Sequence, residues 1–204
     1  MSTSTSTSTS TATAAKRSGT TTPRSGASLA FSHMGVYVHD IETMERFYTG
    51  ALEFDVTDRG LLGKTQIVFL SRDPAEHHQI ILATGRPAHI EFNPINQISL
   101  RADSLASLRI YHDRALAHGA TDMQPVSHGN ALSIYFRDPE GNRLEVFIDT
   151  PWYVTQPMRI PVDLSMDDAT LMAHLEAEAQ ALPGYIPHNQ WLASMAERMG
   201  IKAE

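Results

Sequence analysis

The chain has 204 residues, a formal charge of −7, a pI near 5.8 and no cysteine. That length suits one domain with extensions, and the acidic balance argues against a nucleic-acid or anionic-membrane partner. Without cysteine there is no disulfide, no thiolate nucleophile and no Cys-type zinc or iron–sulfur site, so any metal would be bound by imidazole, carboxylate and amide groups, with ten histidines available.

The segment 1–27 is Ser/Thr-rich and lacks large hydrophobes. Such a segment cannot offset its ordering entropy, and it is expected to be a disordered tail. It holds no apolar run of the secretory type, no stretch of the chain nears the roughly 20 apolar residues of a membrane span, and a cytoplasmic protein is expected.

LAFSHMGVYV (29–38) reads as a strand, and IETMERFYTGAL (41–52) carries Ile41, Met44, Phe47 and Tyr48 at helical spacing. EFDVTD, TQIVFLSR and HHQIILAT (77–84) read as three further strands, closed by Gly85 and Pro87. The same βαβββ order then recurs. NQISLRA (96–102) is a strand, 104–120 a helix with Ser104 as N-cap, and TDMQPVSH, ALSIYFRD and NRLEVFID are strands. Ile41, Met44 and Phe47 fall on Leu105, Leu108 and Tyr111 at one constant offset, which indicates an internal repeat. Beyond Thr150 the chain is Pro-punctuated, followed by a helix over 165–182 capped by Ser165 and a short helix over 188–200. The expected architecture is α+β: two βαβββ modules (29–84 and 95–150) forming a cup-shaped mixed sheet within a 28–150 domain, then a 151–204 extension packing on the domain or on a second subunit.

Glu145 is the conspicuous residue. It sits between Leu144 and Val146 in an apolar strand, just after the turn DPEGN. The helix offset also makes twins of His33 and Gln97, and of Ile81 and Glu145. Three of four equivalent positions are therefore possible ligands, a set that leaves coordination positions open for water or substrate, as a catalytic site requires.

HMGVYVHDIETMERFYTGALEF and YFRDPEGNRLEVF resemble the opening and closing segments of the vicinal oxygen chelate superfamily, which includes glyoxalases, extradiol ring-cleavage dioxygenases and bleomycin- or fosfomycin-resistance proteins. The resemblance covers about residues 29–150. Val126-Ser127-His128, Ile134-Tyr135, Asp138-Pro139, Gly141 and Glu145 are similar, in type and spacing, to the extradiol dioxygenase signature.

The resemblance implies His33, Gln97 and Glu145 as metal ligands, Tyr135 as the group that hydrogen-bonds the substrate or its oxygenated intermediate, His128 as the motif's supporting histidine one layer further out, and His78 as the acid–base beside dioxygen, with His77 its adjacent competitor. The implied metal is Fe(II), with Mn(II) or Zn(II) as alternatives. The implied reactants are a catecholic substrate and dioxygen, and a homodimer is expected. Gln97 departs from the pattern, which has His there. Asn96 and His89 could also be recruited, though neither lies on the repeat's register. Against a glyoxalase I reading, that family's fourth ligand should be acidic where this chain has Ile81. Two alternatives stand beside the dioxygenase: a non-redox metalloenzyme of the same superfamily, and a binding protein with a degenerate site.

Overall fold

The computed structural model describes residues 30–90 and 93–201; the expected N-terminal tail lies outside them. In the first module, β1 (Met34–Val38) is followed by α1 (Ile41–Leu52) and then by β2 (Asp55–Leu62), β3 (Thr65–Ser71) and β4 (Ile80–Thr84). In the second, β5 (Ile98–Arg101) leads to α2 (Leu105–Ala117), β6 (Thr121–Ser127), β7 (Ala131–Arg137) and β8 (Arg143–Asp149). The first sheet runs β1-β4-β3-β2 with β1 parallel to β4. The second keeps that order as β5-β8-β7-β6, with β5 parallel to β8 and a short β10 (Ile160–Pro161) added outside β6. The fold is thus α+β with a duplicated module.

The duplication holds at the level of register. Gly35 faces Ile81 in the first sheet and Ser99 faces Glu145 in the second, and both members of each pair keep the offset seen between the helices. The offset slips by two at the next strand. Nine residues separate the paired Leu70 and Ile80, but only seven separate Phe136 and Leu144, so Tyr135 has Phe69 as its spatial twin.

Both long helices start and stop for identifiable reasons. The Asp40 side chain accepts from Thr43 N–H at the start of α1, and Ser104 accepts from Ser107 N–H at the start of α2. At the end of α1, Arg114 binds the Gly50 and Ala51 carbonyls and Arg72 binds that of Leu52, satisfying acceptors that a helix terminus leaves open. Met44, Phe47, Leu108, Leu144, Ile134 and Phe136 are buried in one core, and Phe47 on α1 lies 6.4 Å from Phe136 on β7, joining the modules.

The turn DPEGN does more than reverse the chain. Asp138 accepts from the Glu140 and Asn142 N–H groups and from Asn142 Nδ2, at 2.7–3.0 Å. Its burial still pushes its pKa up to about 6. The turn aims the Glu140 carboxylate at the other module, where it accepts from His39 N–H (2.8 Å) and Asp40 N–H (2.8 Å) and pairs with Arg86 (3.4 Å).

Several boundaries differ from the sequence reading. The first strand begins at Met34 rather than residue 29, because its partner β4 offers pairing only from Ile80. The third helix, α3 (Asp168–Gln180), is capped by Asp167, not Ser165; the Asp167 carboxylate takes both the N–H and the hydroxyl of Thr170. Leu171 and Leu175 bury α3 in the core, and Arg109 of α2 ties its entry to the Leu164 and Met166 carbonyls. The last helix, α4 (His188–Met199), buries no residue fully; Trp191 stacks on Tyr153 of β9 (Trp152–Tyr153), which pairs with β11 (Ile186–Pro187). No helix among the described residues is long and apolar enough to cross a membrane.

Candidate active site

Successive strand residues point to opposite faces. Ile98, Leu144, Val146, Ile134 and Phe136 face the helices, which leaves Ser99, Glu145 and Tyr135 side by side in one row on the other face. Glu145 is 7% exposed and answers to its surroundings. Its Oε2 accepts from Ser99 Oγ (2.6 Å) and from Gln97 Nε2 (2.9 Å). Its Oε1 receives no hydrogen bond among the described residues; the nearest cation-capable group is His128 Nε2, 3.9 Å away.

His128 is held in one tautomer. Its Nδ1 lies 2.7 Å from the Met158 carbonyl, which can only accept, so Nδ1 carries a proton and Nε2 is the ring nitrogen that meets the Tyr135 hydroxyl, at 3.0 Å. The neighbouring Gly129 has φ +73, and a Cβ there would meet Val154 Cγ2 at 2.2 Å. Only glycine lets the extension pass this close behind His128. Burial, and then the Glu145 carboxylate, push the Tyr135 hydroxyl up to about 12, so it stays a proton donor at neutral pH. Arg143 and Arg159 approach the Tyr135 ring at 4.3 and 5.3 Å.

A second cluster belongs to the first module. His33 is exposed, immediately before β1, and packs edge-on against His78 with ring centroids 4.3 Å apart. His78 also contacts Phe69, the twin of Tyr135, and its Nδ1 lies 2.8 Å from that of exposed His77. His78 Nε2 is buried without a hydrogen-bond partner among the described residues. Burial, and then His33 and His77, push its pKa down, favouring the neutral ring.

Sequence reasoning therefore names residues that sort into two groups. Gln97, Glu145, Tyr135 and His128 are together on the second sheet, and His33 and His78 are together on the first. Asn96 and His89 are exposed. The edge strands β1 and β5 line one cavity of about 1030 Å³, to which Ser32, Gln97, Ser99 and Tyr111 contribute. Sequence reasoning misses Ser99, Arg143 and Arg159. Ser99 carries a usable signal, being two residues beyond Gln97 on the same strand face. Arg159 carries none, because nothing local reveals that the extension returns to Tyr135.

The family implied by the sequence uses a metal, and the donor chemistry here suits one. Gln97 gives its amide N–H to Glu145 Oε2, which leaves the Gln97 carbonyl oxygen and the second Glu145 oxygen without a hydrogen bond among the described residues. A carboxylate and an amide oxygen are suitable donors for a divalent cation, and an imidazole such as His33 would extend the set. No three His, Asp or Glu side chains converge as a metal site among the described residues. The candidate set contains two of those residue types together with an amide.

A model of the Glyoxalase/Bleomycin resistance protein/Dioxygenase superfamily matches residues 30–146. A biphenyl-2,3-diol 1,2-dioxygenase 2 from Rhodococcus globerulus is 28% identical over 172 residues, covering 78% of this chain and 84% of that protein. Among solved structures, a glyoxylase/bleomycin resistance protein/dioxygenase domain from Frankia sp. EAN1pec is 22% identical with a TM-score of 0.53, covering 61% of this chain and all of that one. The fosfomycin resistance protein FosX from Mesorhizobium loti is 23% identical with a TM-score of 0.47, over 57% of this chain and 89% of that one. With a duplicated βαβββ module whose parallel strand pair repeats residue for residue, and a family match spanning both copies, the chain belongs to the Glyoxalase/Bleomycin resistance protein/Dioxygenase superfamily.

Proposed function

We propose that the protein is a metal-dependent ring-cleavage dioxygenase of the extradiol type, acting on a catecholic aromatic compound with dioxygen. One observation carries the reading: His128, Tyr135 and Glu145, widely spaced in sequence, form one contact group in a fixed tautomer. The 28% identical relative named as a diol dioxygenase supports the same reading.

Glu145, Gln97 and His33 are the residues that would hold the metal, with Fe(II) the preferred ion and Mn(II) or Zn(II) the alternatives. When bound, such an ion would supply charge that acidifies the two vicinal hydroxyls of a catechol and, as Fe(II) or Mn(II), a path for electrons from the catechol to dioxygen. The protein's own groups do the rest. Ser99 and the Gln97 N–H hold Glu145 by one oxygen and leave the other free. Tyr135 stays protonated and positions the substrate through its hydroxyl, which His128 orients from behind. His78, neutral and with Nε2 unpartnered, accepts a proton from the substrate and returns it later.

Oxygen uptake by protein purified without air and supplied with Fe(II), over a panel of catechols, tests this directly. Uptake together with an absorbing ring-opened product is expected; metal-loaded protein inert to every catechol would sink the reading. The Gln97 amide favours one second reading, a non-redox metalloenzyme, because an amide oxygen is a weaker donor than imidazole. Gln97→His is expected to tighten Fe(II) binding on the order of tenfold by metal titration. Looser binding would show that residue 97 does not face the ion.

A further inference from the structure

Two cations at the site form no ion pair among the described residues. Arg143 follows DPEGN on β8 and is half-buried, yet it forms no ion pair and no side-chain hydrogen bond among the described residues; its guanidinium lies 4.3 Å from the Tyr135 ring centroid. Arg159 comes from the extension, outside the family-matched segment, and reaches the same ring at 5.3 Å. Among the described residues its one polar contact is with Gln124 Oε1, at 2.6 Å, and the Gln124 amide in turn donates to Asp122. Two other arginines on this face are already paired, Arg101 with Asp149 and Arg137 with Asp122.

In a chain of net charge −7, two guanidinium groups without an ion pair, against the single Glu145 carboxylate beside the same tyrosine, run against the overall balance. A guanidinium cannot shed its proton to escape burial, so an unpaired, half-buried arginine carries a desolvation cost that an incoming anion would relieve. The ring face of Tyr135 offsets only part of that cost. The planar fork of arginine matches a carboxylate with two parallel hydrogen bonds.

We propose that Arg143 and Arg159 form an anion subsite, and that the substrate is an aromatic acid whose carboxylate arm extends past Tyr135 to reach them. This rests on the catecholic reading for the identity of the ring but not for the anion. It also gives the extension a task, since β10 pairing with β6 carries Arg159 over the second sheet.

Calorimetric titration of the full chain with three probes decides the matter: 3,4-dihydroxyphenylacetate, the neutral 4-methylcatechol, and phenylacetate, which has the acid but no diol. The dihydroxy acid is expected to bind about tenfold or more tightly than 4-methylcatechol, the increment of a charge-assisted bidentate contact. The preference should shrink as salt is raised and fall towards one in Arg143→Gln and Arg159→Gln, the second of which changes an exposed side chain that folding does not need. Equal binding of the acid and the neutral catechol overturns the subsite while leaving the catechol reading intact. Arginine-dependent binding of phenylacetate without any binding of 4-methylcatechol keeps the subsite and removes the catechol. An acid preference that survives both substitutions, or no binding by any probe, also overturns the subsite.

Discussion

Glu145→Ala is expected to abolish metal retention and, with it, turnover. The substitution removes the one carboxylate of the candidate set and leaves Ser99 Oγ and Gln97 Nε2 without their acceptor. Loss of an outer-shell partner typically costs roughly 10–100-fold in affinity, and loss of the anionic ligand itself should exceed that. The measurement is metal content after gel filtration of metal-loaded protein, with a thermal melt alongside. A buried carboxylate facing two donors is worth little to folding once the donors can turn to solvent in the adjoining cavity, so the melt should move far less than the metal content. Full metal retention in the alanine variant would remove Glu145 from the site. A collapse of the melt with no separate effect on metal would recast it as a structural hydrogen-bond acceptor.

Much of this site was legible in the sequence because duplication converts spacing into geometry. The offset that relates Ile81 to Glu145 becomes the equivalence of two strand pairs, so an acid in an apolar strand could be assigned to the open face before any coordinates. The helices were equally legible from their apolar spacing, with Ser104 capping α2 as read, while the Asp40 cap of α1 emerged only in the structure. Illegible features depend on contacts between distant segments. The two-residue slip that makes Phe69 the twin of Tyr135 arises from unequal hairpin loops, which no offset search over one strand reveals. The shift of the α3 cap from Ser165 to Asp167 reflects two nearby candidate caps, of which only Asp167 reaches both Thr170 groups. His33 shows the same limit: the repeat twins it with Gln97, yet its observed neighbour is His78, a contact set by how the chain enters β1.

Glu140→Ala is expected to cost about 3–5 kcal/mol, the range for stripping one partner from a buried ion pair. The Glu140 side chain is 8% exposed and that of Arg86 14%, so solvent screens the pair little. The same carboxylate accepts from His39 and Asp40 N–H at the start of α1, where the helix dipole already favours an anion. Alanine would therefore take the carboxylate from a largely buried guanidinium, which keeps only the residue 140 carbonyl and Asn142 Oδ1 among the described residues, and from two helix-start donors at once. For a chain of this size each kcal/mol lowers Tm by roughly 2–4 °C, which a thermal melt resolves easily. Glu140→Gln keeps one acceptor oxygen but no charge, so it should fall between the wild type and alanine; a loss below about 1 kcal/mol in the alanine variant would show that the contact is incidental. The consequence reaches the site because the clasp spans the two modules: β8, which starts just beyond this turn, carries Glu145, and β1, which ends just before His39, follows directly from His33. If the metal draws donors from both modules, loosening the clasp should weaken metal binding without touching a single ligand. An alanine variant that melts early but binds metal as tightly as the wild type would instead confine the donors to the second sheet.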